Sequence, residues 1–344
     1  MKRRPKTITI QDVARKAGVS VSTVSRVLNW KSDVSEETIE KVRAIVRELG
    51  YASSLAARGM RSHRTNVIGL IMPDVASPYG HEVMRGVNRA IANLDKDLLI
   101  YTSGSWEKED IDYYERSYVM LLNGGITDGA IVVTPTSTHF RTHAPLVIID
   151  PNTETPDFPA VISTNREGAF AAMNYLTGLG HRRIGFITGR LILASANQRL
   201  QGYKDGLAAA GIPLDEELIA IGDYSTEVGI TCARRLLSLA DRPTAIFAAN
   251  DMSAMGVYQA ARELGLHIPR DVSVIGFDNL REAVYLNPPL TTVDQFLEKT
   301  GMVATEMLVK LAAGEPLSLE NNLYTIPTQL VIRDSCARPL PCAG

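Results

Sequence analysis

The chain is poor in cysteine and has no long hydrophobic run. Its 344 residues contain three cysteines, Cys232, Cys336 and Cys342, an odd number without the spacing of a metal site. This usage argues against structural disulfides and zinc and favours a reducing cytoplasm. No apolar stretch is as long as a membrane span, and polar residues follow the start MKRRPK in place of the apolar core of a secretion signal. We therefore expect a cytoplasmic protein without a metal, a cofactor or a membrane partner.

Catalytic signatures are also missing. The sequence has no G-x-S-x-G elbow, no phosphate-binding loop and no residues at metal-ligand spacing. Its acidic residues show no acid–base spacing that would identify a glycosidase. Beyond Arg333 there are no apolar heptads, so a dimer is expected in preference to a coiled-coil tetramer. We expect a protein that is not an enzyme.

Charge is distributed unevenly along the chain. Residues 1–64 contain 14 Lys and Arg against 6 Asp and Glu, whereas the remaining residues contain 22 against 32. A phosphate-binding segment attached to an acidic domain for a small molecule or a partner would give this imbalance. The sequence therefore predicts a basic, nucleic-acid-binding head on a larger acidic body.

The basic segment contains the pattern of two short helices joined by a tight turn. Thr9, with Asp12 three residues later, predicts a capping box, and Gly18 allows the turn after the first helix. Ser20 can cap a second helix, Val21–Leu28. The apolar residues at helical spacing, which predict the buried face, are Val13, Ala17, Val24 and Leu28. This pattern fits any small helical bundle as well as a DNA-binding helix-turn-helix.

The exposed face of the second helix favours the DNA-binding interpretation. Val21, Ser22 and Arg26 lie opposite the apolar stripe, where a helix in the major groove would reach base edges. A third helix is predicted between Ser35, as its cap, and Gly50, with an apolar face formed by Ile39, Val42, Val46 and Leu49. Three helices are enough to bury a small core for such a head.

From about residue 66 onward, short apolar runs alternate with helical patterns. The predicted strands are residues 67–72, 98–102, 130–133, 146–149, 184–188, 245–248 and 272–277. The predicted helices are residues 82–94, 167–179, 196–210, 229–240 and 253–264. Such alternation predicts an α/β fold of parallel sheets flanked by helices. A body of about 270 residues is too large for one such core and predicts two lobes.

Polar side chains follow several predicted strands, where ligands of open parallel sheets bind. The strand-end residues are Asp74, Asp150, Asn250, Asp251, Asp278 and Asn279, and Arg199 and Gln295 add hydrogen-bonding groups. Carboxylates, amides and an arginine that face a cleft are suited to binding many hydroxyl groups. Tyr79, Trp106 and Tyr224 lie in loops after strands and are suited to stacking on a sugar ring. For a lone aspartate at a strand end, a helix cap or a loop turn is the favoured interpretation.

The motifs and their order resemble the lac repressor (LacI/GalR) family of bacterial transcription regulators. The head matches, within residues 7–62, in TITIQDVARKAGVSVSTVSRVLN, VSEETIEKVRAIVRELGY and LAARGMRS. The body matches, up to about residue 333, in VIGLIMPD, RIGFITG, NQRLQGYKDGL, AANDMSAMG, VSVIGFDN and PPLTTVDQ. The resemblance therefore covers nearly the whole chain.

The resemblance implies an N-terminal helix-turn-helix head followed by a two-lobed core like that of periplasmic binding proteins. The implied domains are a DNA-binding head at 1–50, a hinge helix at 51–64, a first core lobe at 65–164 plus 293–324, and a second core lobe at 165–292 plus 325–344. In the family an apolar hinge side chain enters the minor groove, and Met60 matches that position. The family also implies a homodimer on a palindromic operator, in the bacterial cytoplasm and associated with the nucleoid.

Residues that match functional positions of the family fall into two sets. The DNA-binding set is Thr9, Ser20, Val21, Ser22, Thr23, Ser25, Arg26, Asn29, Ala57, Met60 and Arg61. The effector-binding set is Tyr79, Trp106, Asp150, Arg199, Tyr224, Asn250, Asp278 and Gln295. Arg26 and Ser22 are expected to read bases and Ser20 and Arg61 to contact phosphates. Asp74 and Asp251 are expected to brace loops instead of contacting the effector.

The family function implied is a repressor of carbohydrate-utilisation genes whose operator binding is controlled allosterically by a small sugar. A regulator of the same family with a purine or another non-sugar effector or corepressor is an open alternative, which the effector-binding set disfavours only weakly. A free-standing sugar-binding protein of the periplasmic type shares the body but does not explain the basic head. The apolar loop at residues 191–193 stands where the family commonly has small polar residues, so the sequence does not identify the ligand.

Overall fold

The structure, a computed structural model, describes residues 8–28, 33–51, 65–94, 96–104 and 110–340. It divides into two compact units, a head up to Thr65 and a core from Asn66 onward. The predicted DNA-binding residues Asn29, Ala57, Met60 and Arg61 and the predicted effector residue Trp106 lie outside the described ranges. No helix within those ranges is long and apolar enough to cross a membrane.

The head contains three helices, α1 (Ile10–Ala17), α2 (Val21–Leu28) and α3 (Glu36–Leu49). The predicted capping box is present, because the Asp12 backbone N–H donates to Thr9 Oγ1 and the Thr9 backbone N–H donates to Asp12 Oδ2 at 3.0 Å. Gly18 ends α1 with a φ of 66°, a left-handed conformation that a glycine adopts without steric cost. Ser20 Oγ then accepts the Thr23 N–H at 3.0 Å and caps α2.

The core of the head differs from the predicted stripe at one position. Val27 is buried, whereas Leu28 is only half-buried, because the turn of α2 brings Val27 and Val24 together against the other helices. Ser35 precedes α3 as predicted but makes no side-chain bond to the helix backbone, since its hydroxyl pairs with Thr38 Oγ1 at 2.9 Å. Gly50 ends α3 in the left-handed conformation, with φ 61°.

The core unit alternates strands and helices, as predicted. Its strands are β1 (Val67–Met72), β2 (Asp97–Thr102), β3 (Gly129–Val133), β4 (Leu146–Ile149), β5 (Ala160–Ser163), β6 (Ile184–Ile187), β7 (Ile219–Ala220), β8 (Ala245–Ala248), β9 (Ser273–Asp278), β10 (Thr291–Asp294), β11 (Leu323–Ile326) and β12 (Gln329–Val331). Its helices are α4 (Pro78–Leu94), α5 (Ile111–Leu122), α6 (Asn165–Gly178), α7 (Ala194–Ala209), α8 (Thr226–Leu237), α9 (Asp251–Glu263) and α10 (Leu297–Ala312). The predicted set lacked β5, β7, β10, β11, β12, α5 and α10.

The strands form two six-stranded sheets, one in each lobe. The order is β11-β5-β4-β3-β1-β2 in the first lobe and β12-β10-β9-β8-β6-β7 in the second. All pairs are parallel except β10 with β12. The chain passes between the lobes after β5, after β10 and after β11. Residues 293 and 294 pair within the second sheet, and residues 325 and 326 pair within the first. The two later crossings between the lobes therefore lie two residues further along the chain than the family resemblance implied.

Two helices of the first lobe, α4 and α10, approach each other through glycines. A Cβ added at Gly301 would overlap the carbonyl oxygen of Val83, so the backbones meet where no side chain fits. We expect Gly301→Ala to lower the free energy of unfolding by about 1–3 kcal/mol through overpacking. Urea unfolding measures the change. Gly178→Ala is the matched control, since a Cβ at Gly178 would meet no atom within 4 Å; equal losses in the two variants would contradict the explanation.

A buried histidine fastens the C-terminal segment to the second lobe. His181 Nε2 lies 2.9 Å from the Ala337 carbonyl oxygen, and Nδ1 lies 2.8 Å from Thr244 Oγ1. Because the carbonyl can only accept, Nε2 carries the proton and donates. Burial lowers the pKa of His181, and the bond to Ala337 opposes this only in part. The folded protein therefore holds His181 in the neutral form.

This histidine gives the fold a defined pH dependence. As the pH falls below about 6.5, the ordinary histidine pKa, His181 binds a proton in the unfolded chain but not in the folded chain. The free energy of unfolding therefore falls. The fall continues until the pH reaches the lower folded pKa. Comparing the wild type with His181→Gln by urea unfolding between pH 7.5 and 5 isolates the effect. The variant is expected to lose less stability over this range; parallel curves would contradict a neutral buried His181.

Candidate functional site

The exposed face of α2 forms one candidate site, on the surface of the head. Val21, Ser22 and Arg26 are exposed, as the helical pattern predicted, and Thr23 and Ser25 are half-buried. Arg26 Nη1 lies 3.3 Å from Asp33 Oδ2, with both side chains more than half exposed. The α2 surface therefore offers a cation, hydroxyls and one apolar side chain on a single face, which are the groups that contact bases and phosphates in DNA.

Hydroxyl groups cluster at the beginning of this face. Ser20 Oγ lies 2.6 Å from Ser22 Oγ and 2.8 Å from Thr23 Oγ1. Thr9 stands at the beginning of the neighbouring helix α1, where its side chain belongs to the capping box and remains at the surface. The beginnings of both helices thus present exposed hydroxyl-bearing residues, which can contact phosphate oxygens.

A second candidate site is a cavity of about 300 Å³ between the two lobes of the core. Strand ends of both sheets border it, as Asp150 follows β4 and Asp278 ends β9. Tyr79 comes from the first turn of α4, Arg199 from α7, and Tyr224 from the residues just before α8. The structure therefore brings together five residues that the sequence placed in one effector site.

Three of these residues have left-handed backbones that non-glycine residues rarely adopt. The φ angles are 53° at Asp150, 73° at Tyr224 and 116° at Asp278. Such conformations cost about 1–3 kcal/mol each and persist where surrounding contacts enforce them, often at binding sites. Here they turn the three side chains toward the cavity at the ends of the strands.

Arg199 is fixed at the floor of the cavity and is 4% exposed. Its Nε donates to Asn165 Oδ1 at 2.8 Å, and its Nη1 donates to the Ala249 carbonyl at 2.6 Å and to Asp278 Oδ1 at 3.4 Å. The guanidinium carbon lies 3.8 Å from the centre of the Phe277 ring. Hydrogen bonds and stacking therefore hold this cation in one orientation before any ligand binds.

Two carboxylates face this single cation. Asp150 accepts from Ser195 Oγ at 2.9 Å, and Asp278 accepts from Gln295 Nε2 at 2.6 Å. Burial raises the pKa of Asp150 although Arg199 opposes the change, and burial raises the pKa of Asp278 to about 7 against the same opposition. The floor of the cavity therefore holds carboxyl groups that ionise less readily than usual and offers acceptors beside a fixed donor.

The two tyrosines complete the wall with neutral hydroxyls. Burial raises the pKa of Tyr224 to about 12 and raises that of Tyr79 as well, so both groups keep their protons. Tyr79 OH accepts a long bond from Thr134 Oγ1 at 3.4 Å. The Tyr224 hydroxyl is buried and has no hydrogen-bond partner among the described residues. An unpaired buried hydroxyl costs about 1–3 kcal/mol, so a polar group of a ligand would relieve it.

Two residues of the predicted effector set, Asn250 and Gln295, hold other residues of the site in place. Asn250 borders the cavity, but its Nδ2 donates to the Tyr224 carbonyl at 3.0 Å and its Oδ1 accepts the Ser253 N–H at 2.9 Å, so it caps α9 and holds Tyr224. Gln295 does not border the cavity and acts behind Asp278. In both cases the side chain orients a cavity residue, which a sequence pattern does not distinguish from direct contact.

The two aspartates predicted to brace loops do so. Asp251 accepts the Leu280 N–H at 2.7 Å and the Thr292 hydroxyl at 2.5 Å, and is fully buried. Asp74 Oδ1 accepts the Ala76 N–H at 2.8 Å at the edge of the cavity. Across the described ranges, no group of three or more His, Cys, Asp or Glu is arranged to hold a metal ion.

Several polar residues that border the cavity were not singled out from the sequence, among them Arg190, Ser195 and Asp223. Ser195 lies four residues before Arg199 on α7, and this spacing places both on one helical face, so the helical period was a usable signal. Leu193 is 3% exposed and lines the cavity, whereas the neighbouring Ile192 is 67% exposed. The apolar loop therefore contributes one wall residue and no polar contact.

Two protein-family models match separate parts of the chain. A family model described as bacterial regulatory proteins, lacI family, matches residues 9–54, and one described as a periplasmic binding protein-like domain matches residues 173–336. The HTH-type transcriptional repressor PurR of Vibrio vulnificus is 34% identical over 335 residues, which are 95% of this chain and 98% of that protein.

Two solved structures are similar to this chain over nearly its whole length. A transcriptional regulator CelR–cellobiose complex is 30% identical with a TM-score of 0.70, over 96% of this chain and 100% of that one. A lac repressor dimer bound to operator and the anti-inducer ONPF is 26% identical with a TM-score of 0.81, over the same shares of the two chains. Sequence and fold agree across both the head and the core.

Proposed function

The chain belongs to the LacI family of bacterial DNA-binding transcriptional repressors, and we propose that a small polar ligand bound between its core lobes controls its binding to operator DNA. The observation that carries the proposal is the floor of the cavity, where fixed Arg199 faces the buried carboxylate of Asp278 and the half-buried carboxylate of Asp150, beside the buried hydroxyl of Tyr224. Such a prepared set of buried polar groups is typical of a binding site. The proposal assigns no catalytic step to any residue.

On DNA, we propose a homodimer that binds a palindromic operator in the bacterial cytoplasm. Arg26 and Ser22 read base edges, Val21 contacts a base edge or a thymine methyl, and Ser20 contacts a phosphate. Support comes from the exposed face of α2 and from the lac repressor structure, which is a dimer bound to operator. Met60 of the hinge region keeps its predicted role as the minor-groove wedge.

For the ligand, a purine is our first candidate. Relatives that align over most of this chain at 32 to 37% identity include PurR repressors. In the cavity, Tyr79 and Tyr224 supply aromatic rings for a flat heterocycle, while Arg199 and Asp278 supply a donor and an acceptor for its polar edge. Because burial raises the pKa of Asp278, its carboxyl can act as an acceptor when ionised and as a donor when protonated.

A sugar is the second candidate, and a separate observation favours it. Asp150 adds a second carboxylate beside Arg199, and paired carboxylates suit the vicinal hydroxyls of a pyranose. The CelR structure, 30% identical, is a complex with cellobiose. Both candidates use the same floor of the cavity, so a direct comparison of ligands separates them.

Control of DNA binding requires a free-energy coupling between the two sites. A ligand that favours one arrangement of the lobes changes operator affinity by some factor, and operator DNA must change ligand affinity by the same factor. A corepressor raises operator affinity, whereas an inducer lowers it. The sign of the change therefore assigns the regulatory role.

The test begins with the intact protein and a panel of purines, nucleosides, mono- and disaccharides in a thermal-shift assay. A ligand at a hundredfold excess over its dissociation constant adds about 2.7 kcal/mol of stability. An operator obtained by selection from random DNA is then titrated with and without each stabilising compound. The proposal requires an affinity change with at least one of them. A compound that binds in the cavity and leaves operator affinity unaltered at saturation contradicts the coupling.

A further inference from the structure

The cavity has two polar levels that differ in burial. At the floor, the side chains of Arg199 and Asp278 are 5% and 3% exposed. At the mouth, those of Arg190 and Asp223 are 27% and 29% exposed. All four side chains border the same cavity. A ligand that fills it therefore meets one set of polar groups at its buried end and a second set at its outer end.

At the mouth, hydrogen bonds hold Arg190 and Asp223 in place. Arg190 Nη2 lies 3.2 Å from Asp223 Oδ2. The other carboxylate oxygen, Asp223 Oδ1, accepts the Ser225 N–H at 2.9 Å and the Ser225 hydroxyl at 2.6 Å. Asp223 is thus fixed at the beginning of α8, and it orients Arg190 in the connection between β6 and α7. An arginine paired with a carboxylate presents donors and acceptors side by side, which suits a ring with several hydroxyls.

The charge at the mouth limits the chemistry of the outer group. Asp223 already balances the cation of Arg190, and two further carboxylates, Asp74 and Glu227, border the cavity and are exposed. A phosphate would face this excess of negative charge, because the two arginines among the described residues that border the cavity, Arg190 and Arg199, each already face a carboxylate, and like charges at short range cost free energy. A neutral, hydroxylated group meets no such repulsion.

We propose that the ligand is a neutral glycoside of two joined rings, with one ring against Arg199 and Asp278 at the floor and a hydroxylated sugar ring against Arg190 and Asp223 at the mouth. The inference rests on the proposed function and names the ligand class for the same cavity. A purine nucleoside and a disaccharide share this chemistry, since each joins a sugar ring to a second ring through one glycosidic bond. Arg190 and Asp223 then determine selectivity for two rings over one.

Two matched ligand sets test the inference by isothermal titration calorimetry on the full chain. One set is hypoxanthine, inosine and inosine monophosphate; the other is glucose, cellobiose and cellobiose 6-phosphate. In one of the two sets we expect the neutral two-ring compound to bind at least tenfold more tightly than both the single ring and the phosphorylated compound. The set that binds decides between nucleoside and disaccharide.

Variants at the mouth separate selectivity from general binding. Arg190→Ala is expected to weaken binding of the two-ring compound at least tenfold while the affinity for the single ring stays as in the wild type, and Asp223→Asn is expected to act in the same direction. Arg182→Ala is the matched control, because Arg182 is exposed and does not border the cavity. The melting temperature of each variant confirms that it is folded.

The outcomes distinguish this inference from the proposed function. A single-ring or phosphorylated compound that binds as tightly as the neutral two-ring one overturns the two-ring inference and leaves ligand control intact. Equal weakening of both ring sizes in Arg190→Ala also overturns it. If no member of either set binds the wild type, the glycoside class is wrong, and the thermal-shift panel with the operator titration still decides whether another ligand acts through the cavity.

Discussion

Arg199→Ala is expected to give a repressor that binds its operator and no longer responds to its ligand. Among the described residues, Arg199 is the cation that acts on both Asp150 and Asp278 at the floor of the cavity. Its loss removes the fixed donor and leaves the buried carboxylate of Asp278 and the half-buried carboxylate of Asp150 without a cation between them, so that they repel each other. Since its hydrogen bonds all lie within the core, the α2 surface of the head is untouched.

The same substitution should reduce stability strongly. Removing one partner of a buried ion pair costs about 3–5 kcal/mol, because the remaining charge is left uncompensated. The loss is expected to shrink as the pH falls from 8 to 5, since Asp278, with a pKa already raised to about 7, then takes up a proton and no longer needs the cation. A structural defect without this charge imbalance would show no such pH dependence.

Calorimetry with the stabilising ligand, operator titration and urea unfolding at two pH values measure these effects. Arg166→Ala is the matched control: Arg166 also pairs with an aspartate, Asp205, but at the exposed surface of α6. This control should keep ligand binding, operator binding and stability close to the wild type. Ligand response retained in a folded Arg199→Ala variant would show that Arg199 does not belong to the binding site.

Much of the fold is predictable because local sequence signals and tertiary packing agree. Thr9, Asp12 and Gly18 mark the limits of α1 through bonds made within a few residues, so no knowledge of the rest of the chain is needed. Strands β1, β3, β4, β6, β8 and β9 are apolar runs whose residues are all buried between helices, and such runs are visible in the sequence.

The missed elements lack those signals. In α5 the exposed side chains include Tyr113 and Met120, which blur the contrast between its two faces. Strand β7 has two residues, and β11 has the exposed residues Tyr324 and Thr325 in its centre. These segments take their structure from pairing with a neighbouring strand or packing on the sheet, which the local pattern does not encode.

The site was predictable as a set of strand-end residues but not as a set of contacts. Asp150 and Asp278 could be placed because the carboxyl ends of parallel strands meet at one edge of a sheet. That Asn250 caps α9 and that Gln295 supports Asp278 depends on side-chain orientation, which the sequence does not specify. Likewise, the pairing of Arg190 with Asp223 joins two loops 33 residues apart in the chain. The preference for a sugar rested on residue types that suit a purine equally well.

On DNA, Arg26→Ala is expected to remove most of the preference for the operator over unrelated sequences. Arg26 is exposed on α2, one turn beyond Ser22, at the position from which a recognition helix reaches base edges. A good bidentate contact to a base contributes about 1–3 kcal/mol of discrimination, which corresponds to roughly a five- to hundredfold loss in the specificity ratio per half-site. To reach a base, Arg26 must leave its ion pair with Asp33. Because both side chains are more than half exposed, breaking this pair costs little free energy.

The measurement is a titration of wild type and variant against the selected operator and a scrambled duplex at several salt concentrations. Lys41→Ala removes the same charge from the exposed surface of α3 and serves as the control. A base-reading Arg26 changes the ratio of the two affinities, because only the operator presents the matching base. If Arg26 contacts a phosphate instead, the variant binds both duplexes more weakly by the same factor, and the salt dependence of binding falls by about one ion. That result would assign base recognition to the other exposed residues of α2.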